Sequence, residues 1–272
     1  VQTVILCGGR GTRLREETEF RPKPMVEIAG RPILWHIMKY YACFGYQDFI
    51  LAVGYRGDMI RDYFLNYKYR NNDFTIDLGT GDIRVHARDL PDEAWRVTIV
   101  ETGQDAMTGC RLKRVARYID TDDFMMTYGD GLSDIPIDRL VAFHQQHGRL
   151  GTLSGVLAPS RFGELTIDGS RVVAFSEKPR ETARYVCGGF FVFKRAFLDL
   201  LEDDPACVLE KAPLEDLAAS GELMVYLHKG YWQSMDTYRD YLHLNQMWAD
   251  HDRPWALWEQ QKKQAGNEPS SA

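Results

Sequence analysis

The sequence has no long apolar run, no excess of positive charge and no paired cysteines. Each absence closes off a class of function. No stretch approaches the roughly 20 consecutive apolar residues of a membrane-spanning helix, so no membrane role is expected. Lysine and arginine number 33 against 39 aspartates and glutamates, a formal net charge of −6. A net acidic chain lacks the broad basic surface used in non-specific nucleic-acid binding. Positive charge for an anionic substrate must therefore be gathered locally. Cysteine occurs 5 times, at Cys7, Cys43, Cys110, Cys187 and Cys207, with no C-x-x-C pair, which argues against a zinc site. The odd number and wide spacing argue against a disulfide framework and for a reducing, cytoplasmic setting. Val1-Gln2-Thr3-Val4-Ile5-Leu6 carries no basic segment ahead of a long apolar one, so no signal peptide is expected.

What is there reads as a globular α/β chain: 44% of residues are apolar and 26% charged. Val4–Cys7 is a short apolar run that stops at Gly8-Gly9, the pattern of a buried strand feeding a tight loop. Helical spacing follows from Pro32 to Phe44, then a strand over Asp48–Val53 and a helix over Asp58–Tyr67. Two alternating runs, Phe74–Leu78 and Ile83–Ala87, flank Gly79-Thr80-Gly81 and predict a hairpin within an excursion near 71–96. Strands are expected over Val97–Glu101 and Phe124–Tyr128, with a helix over Arg111–Ile119 between them. A helix over Ile137–His147 precedes four strands, Thr152–Leu157, Glu164–Ile167, Val172–Ser176 and Phe190–Phe193. Pro213–Ala219, Leu223–Tyr226 and Asp236–Asp250 read as helix, strand and helix. This alternation predicts a Rossmann-like, doubly wound mixed sheet with a small C-terminal appendage. One domain over 1–258 is the simplest organisation, with 259–272 as a polar, disordered tail.

The chemistry concentrates at the first glycine loop. Leu6-Cys7-Gly8-Gly9-Arg10-Gly11-Thr12-Arg13-Leu14 has no G-K-[ST] ending, so it is not a Walker A loop. Leu14 stands where a dinucleotide fingerprint needs its third glycine. A loop with Arg13 built in suits a triphosphate, because the guanidinium can take charge building up on a leaving group. Arg21-Pro22-Lys23-Pro24-Met25 then places Lys23 between two prolines. Each proline fixes its own φ and holds its predecessor extended, a stiffness that serves a lysine meeting a phosphate.

Two aspartates sit at element ends. Asp130, in Tyr128-Gly129-Asp130-Gly131, ends a strand; Asp236 precedes the last helix. Magnesium takes one or two carboxylates plus phosphates and water, which suits such a pair. Asp236 as a helix cap and Asp130 as a turn residue are the structural alternatives. Phe175-Ser176-Glu177-Lys178-Pro179 repeats the lysine-before-proline device. Lys178 is the candidate for a second phosphate and Glu177 for sugar hydroxyls. Gly188-Gly189 would let backbone approach a sugar. Arg111 is either a solvated helix residue or an anion contact. Tyr128 and Trp232 offer faces for stacking or for the core.

The G-G-x-G-T-R-L loop followed by Pro22-Lys23-Pro24 resembles the sugar-1-phosphate nucleotidylyltransferases, and the resemblance runs from Val4 to about Trp258. It implies the nucleotidyltransferase fold and transfer of a nucleotidyl group with release of pyrophosphate. Met107-Thr108-Gly109, Arg111-Leu112-Lys113-Arg114-Val115 and Arg161-Phe162-Gly163 point to the branch that uses CTP and glucose 1-phosphate. Another sugar 1-phosphate, or UTP or dTTP, is the alternative. The resemblance implies Arg13 and Lys23 as catalytic residues and Asp130 with Asp236 as Mg²⁺ ligands. It implies nucleotide contacts at Leu6, Gly8, Gly9, Gly11, Thr12, Thr108, Gly109 and Gly129. Sugar-phosphate contacts are implied at Arg111, Tyr128, Glu177, Lys178 and Gly189. A cytoplasmic homo-oligomer, trimer or hexamer, is implied as well. Three residues depart from the family pattern: Cys187 replaces asparagine, and Lys229 and Ser234 replace prolines. A thiol is a weak hydrogen-bond partner, so Cys187 leaves the identity of the sugar open.

Overall fold

The computed structural model describes residues 1–86, 93–157, 164–168, 171–176 and 185–259. The main sheet has seven strands: β1 (Gln2–Leu6), β2 (Asp48–Val53), β3 (Arg96–Glu101), β4 (Asp123–Tyr128), β5 (Gly151–Leu157), β6 (Tyr185–Lys194) and β7 (Leu223–His228). Their order is β7-β5-β6-β4-β1-β2-β3. The strands β4, β1, β2 and β3 run parallel, and β6 lies antiparallel to both β4 and β5. The central strands are apolar throughout because both faces are covered. On β1, Ile5 faces one core while Val4 and Leu6 face the other.

The helices divide between those cores. On the Ile5 face pack α1 (Ile33–Ala42), α2 (Gly57–Leu65), α4 (Ile137–His147) and α6 (Tyr238–Ala249). On the other pack α3 (Thr108–Val115) and α5 (Ala212–Ala219). The doubly wound mixed sheet is thus present as expected. Asp73–Ile76 and Ile83–His86 form the expected antiparallel hairpin. The segments 177–184 and 260–272 lie outside the described residues, and with them Glu177, Lys178 and most of the polar tail.

Three boundaries beside the site differ from the sequence pattern. Strand β6 begins at Tyr185, since Gly188 and Gly189 continue it rather than interrupt it; Gly189 adopts φ +79° beside a register shift in the pairing with β5. Helix α3 begins at Thr108, so Arg111 lies within it rather than at its start. Helix α6 is capped by Thr237, whose side chain and that of Asp240 form a capping box, leaving Asp236 outside the helix.

The C-terminal appendage docks on α1. Trp248, Trp255 and Trp258 surround His36, which is fully buried. The Trp255 indole N–H points at His36 Nδ1 at 3.4 Å, and Nε2 lies 3.0 Å from the Ile28 carbonyl. This suits a neutral ring that accepts at Nδ1 and donates at Nε2. Burial drives the His36 pKa down to about 4.

Arg111 ties together the loops at the carboxyl ends of three parallel strands. Its Nη1 donates to Thr102 Oγ1 at 2.7 Å and to the carbonyls of Gly103 at 2.8 Å and Val53 at 3.3 Å. Its Nη2 donates to the carbonyls of Gly8 at 3.0 Å and Gln104 at 3.3 Å. Glycine makes room for it: a Cβ on Gly8 would lie 2.0 Å from the guanidinium, and one on Gly54 2.4 Å. The planar fork is turned inward onto backbone, so Arg111 braces these loops.

Two outcomes follow from these buried groups. The unfolded chain protonates His36 near pH 6.5 and the folded chain only near pH 4. Acidification through that window should therefore remove up to about 3 kcal/mol of stability. Urea unfolding at pH 7 and pH 4.5 measures this, and His36→Leu should flatten the dependence while losing stability at pH 7. Arg111→Ala removes the guanidinium donors to the Gly103 and Gln104 carbonyls and to Thr102 Oγ1, and should destabilise by on the order of 3 kcal/mol, with no rescue by Arg111→Lys. A midpoint within experimental error of wild type would remove Arg111 as the brace.

Candidate active site

The carboxyl ends of β1 and β4 open into a cleft of about 530 Å³. This is the crevice where open α/β sheets bind ligands. The loop after β1 forms one wall. Gly11 needs its positive φ of +61°, and a Cβ there would lie 2.8 Å from Thr18 Cγ2. The Thr18 hydroxyl donates to the Gly11 carbonyl at 2.9 Å and to that of Leu14 at 2.7 Å, folding the loop back on itself. Arg13 projects from this loop with its side chain 76% exposed, available to a ligand in the cleft.

Lys23 occupies the centre of the polar end. Pro22 and Pro24 are buried, and Lys23–Met25 forms a single 3₁₀ turn that aims the side chain at the cleft. Its ammonium lies 2.6 Å from Asp130 Oδ2 and 2.8 Å from Asp236 Oδ1. Burial alone would favour neutral lysine, but the two carboxylates outweigh it and raise the pKa above the ordinary value. Burial likewise opposes charge on Asp236, yet Lys23, Arg13 and the Ser234 hydroxyl together hold its pKa below the usual carboxylate range. Arg13 reaches Asp236 Oδ2 at 3.6 Å and Ser234 Oγ lies 3.1 Å from the same oxygen.

A short ladder brings the aspartates together across 106 positions of sequence. Gly131–Ser133 pairs antiparallel with Trp232–Ser234, and the Met235 N–H donates to the Asp130 carbonyl at 2.9 Å. Gly129 permits the close approach of the lysine segment, since its Cβ would lie 2.8 Å from Pro24 Cγ and 3.0 Å from the Leu6 carbonyl.

The other end of the cleft is built on Tyr128 and the β6 glycines. A Cβ on Gly189 would fall 2.6 Å from the Tyr128 ring. The Tyr128 hydroxyl bonds Glu210, whose second oxygen accepts from Thr108 Oγ1 at 2.6 Å. Trp232 Nε1 donates to the Gly188 carbonyl at 2.7 Å. Cys187 lines the cleft as an exposed free thiol.

Of the residues named from sequence, Leu6, Gly8, Gly9, Gly11, Thr12, Arg13, Lys23, Thr108, Arg111, Tyr128, Gly129, Asp130, Gly189 and Asp236 all line this one cleft. Gly109 does not. It is buried beneath the cleft, its N–H donates to the Cys207 carbonyl at 3.0 Å, and a Cβ would lie 2.6 Å from Cys207 Sγ. Glu210 was missed, because an acidic residue in a polar loop carries no signal until the fold sets it against Thr108 and Tyr128. Ser234 entered only as a departure from pattern, yet its hydroxyl bonds Asp236.

Comparison with known proteins gives the family. A nucleotidyl transferase family model matches residues 2–263. Glucose-1-phosphate cytidylyltransferase of Salmonella typhi is 46% identical over 260 residues, covering 95% of this chain and 100% of that protein. The probable glucose-1-phosphate cytidylyltransferase of Bacillus subtilis is 41% identical over 258 residues, with coverage of 95% and 100%. Among solved structures, HddC from Yersinia pseudotuberculosis complexed with GMP-PN superposes with a TM-score of 0.67 at 24% identity, covering 91% of this chain and 99% of that one. An apo UDP-glucose pyrophosphorylase gives 0.66 at 14% identity, with 92% and 98% covered, a likeness of fold. With a family model matched almost end to end and full-length relatives above 40% identity, the chain belongs to the nucleotidyl transferase family, among its sugar-1-phosphate nucleotidyltransferases.

Proposed function

We propose that the chain transfers a cytidylyl group from CTP to α-D-glucose 1-phosphate, giving CDP-glucose and pyrophosphate. The observation that carries the proposal is the Lys23 ammonium held between Asp130 and Asp236 beside the glycine loop. The choice of CTP and glucose 1-phosphate rests on the two full-length relatives. A phosphate oxygen of the sugar 1-phosphate attacks the α-phosphorus of CTP. The bond from that phosphorus to the bridging oxygen breaks, and pyrophosphate leaves with the electron pair. The attacking oxygen is already ionised near neutral pH, so no general base is required. The residues supply position and charge.

Arg13, exposed at the mouth of the loop, takes the charge that grows on the leaving pyrophosphate. Lys23 exchanges a carboxylate for an oxygen of the α-phosphate and stabilises it as it becomes five-coordinate. Tyr128 and the bare backbone at Gly189 border the sugar, with Thr108 held in place by Glu210. A divalent cation, Mg²⁺ by its preference for hard oxygen donors, fits Asp130 and Asp236. In the structure a cation, the Lys23 ammonium, already sits between their oxygens. Among the described residues no third metal-ligating side chain joins them, which leaves positions for phosphate and water. When bound, the ion supplies charge neutralisation on the triphosphate.

A second reading keeps this chemistry and changes the sugar. Its support is Cys187, a poor hydrogen-bond partner exposed in the cleft beside the Gly188-Gly189 pair. The reading also includes assembly of identical copies, because the hairpin exposes Phe74, Ile76, Leu78 and Ile83, an apolar surface that another copy would cover.

Pyrophosphate release with Mg²⁺, crossing CTP, UTP, dTTP, ATP and GTP against sugar 1-phosphates, should be confined to CTP with glucose 1-phosphate. CTP with another sugar alone would establish the second reading, and no release from any pair would overturn both. Lys23→Ala should cut turnover about a hundredfold to a thousandfold while keeping a cooperative unfolding transition. Sedimentation of the intact chain should give a trimeric or hexameric mass; the mass of one chain would refute assembly.

A further inference from the structure

A second cavity, of about 560 Å³, lies behind the Lys23 turn, and cytidylyl transfer makes no use of it. Three arginines reach its wall: Arg21 from the proline-flanked segment, Arg31 from the 27–32 hairpin, and Arg70 from the turn after α2. Glu27 and Asp62 are the acidic groups lining it, so the balance is positive on a chain whose net charge is −6.

The arginines are not consumed by the protein. Arg21 approaches Glu17 and Glu27 only at 3.7 and 3.6 Å, beyond ordinary hydrogen-bond distance. Arg31 bonds Asn71 Oδ1 and lies 5.3 Å over the Trp35 ring. Arg70 lies 5.8 Å over the Tyr63 ring and makes no ion pair among the described residues. A guanidinium carries five donors in a fork that matches phosphate, so most of this donor set is open to a ligand.

Tyr63 is an independent pointer. It lines the same cavity at 7% exposure, and its buried hydroxyl makes no hydrogen bond of ordinary geometry, while the Arg31 guanidinium beside it opposes the rise in pKa that burial causes. A guanidinium can only donate to that oxygen, so the hydroxyl hydrogen is left for a bound acceptor. Met25, Met59 and Pro32 complete the wall with adaptable apolar surface. The chemistry is thus a cationic, hydroxyl-bearing end against an apolar one.

We infer that this cavity is a second ligand site, for a phosphate monoester with an apolar or flat body, coupled to the active-site cleft through Arg21–Met25. Arg21 and Met25 face this cavity, while Lys23 and Pro24 face the cleft. Two prolines and a 3₁₀ turn stiffen those five residues, so a displacement of Arg21 toward a phosphate is carried to Lys23. Coupling of this kind is reciprocal: the ligand changes CTP affinity by the same factor by which CTP changes the ligand's.

Phenyl phosphate is a simple probe of this class, titrated into the full chain by calorimetry. Wild type should bind it at one saturable site. Arg70→Ala should weaken binding about tenfold or more, the loss of a charge-assisted contact. Met59→Trp, which fills the cavity, should abolish it. Both variants should bind CTP as wild type does, which checks that the chain is folded. Equal affinity for phenyl phosphate in all three chains, or no saturation in wild type, overturns the site. An unchanged CTP affinity at saturating phenyl phosphate overturns the coupling. The titration reads no turnover, so its failure is distinct from failure of the transfer reaction.

Discussion

One cation between two carboxylates organises the catalytic end of this protein. Lys23 joins a segment near the start of the chain to Asp130, at the end of β4, and to Asp236, just ahead of α6. Without that ammonium, two carboxylates brought together by the 131–133 and 232–234 ladder would face each other with only the exposed Arg13 beside Asp236. With it, the site stores charges of both signs at hydrogen-bond distance. Under the proposed function, a triphosphate entering the cleft would exchange partners with these groups without demanding new charge. The protein has arranged its electrostatics before the substrate enters, which is the condition for catalysis by charge stabilisation.

The glycines around the cleft act through space more than through flexibility. Gly8 and Gly54 vacate the volume that the Arg111 guanidinium fills, and Gly129 lets Pro24 reach the β1–β4 seam. Gly189 admits the Tyr128 ring. Arg111 then adds donors to carbonyls of three loops: those of Val53 and Gly8 also accept a backbone N–H, and that of Gly103 takes the guanidinium at 2.8 Å. The glycine-rich loop and the buried arginine are thus one device, in which missing side chains at two positions accommodate one long side chain from a helix.

Stiffness is shared in the same way between the two cavities. Arg21-Pro22-Lys23-Pro24-Met25 forms part of the wall of both, with Arg21 and Met25 turned to one and Lys23 and Pro24 to the other. A segment that needs rigidity to aim Lys23 is for that reason a good conductor of displacement. The tryptophan cage around His36 secures the C-terminal appendage against α1, so that Asp236 and α6 are held against the body of the fold.

The sequence by itself determined the alternation of strands and helices, the phosphate-type loop, the lysine locked between prolines and the pair of aspartates. These are local: apolar periodicity, fixed proline φ angles and residue type act within a few positions and can be read without a partner. Boundaries slipped where the local signal misleads, as at Gly188-Gly189, which weaken a strand in isolation yet continue β6 because Tyr128 packs against them. Only the tertiary structure decided that Arg111 turns its guanidinium onto loop backbone, that Gly109 is buried beneath Cys207, and that Glu210 pins Thr108 and Tyr128. It also decided that Arg21, Arg31 and Arg70 share a cavity. Each of these depends on which distant segment a side chain meets, and that is set by how the two faces of the sheet are covered, not by spacing along the chain.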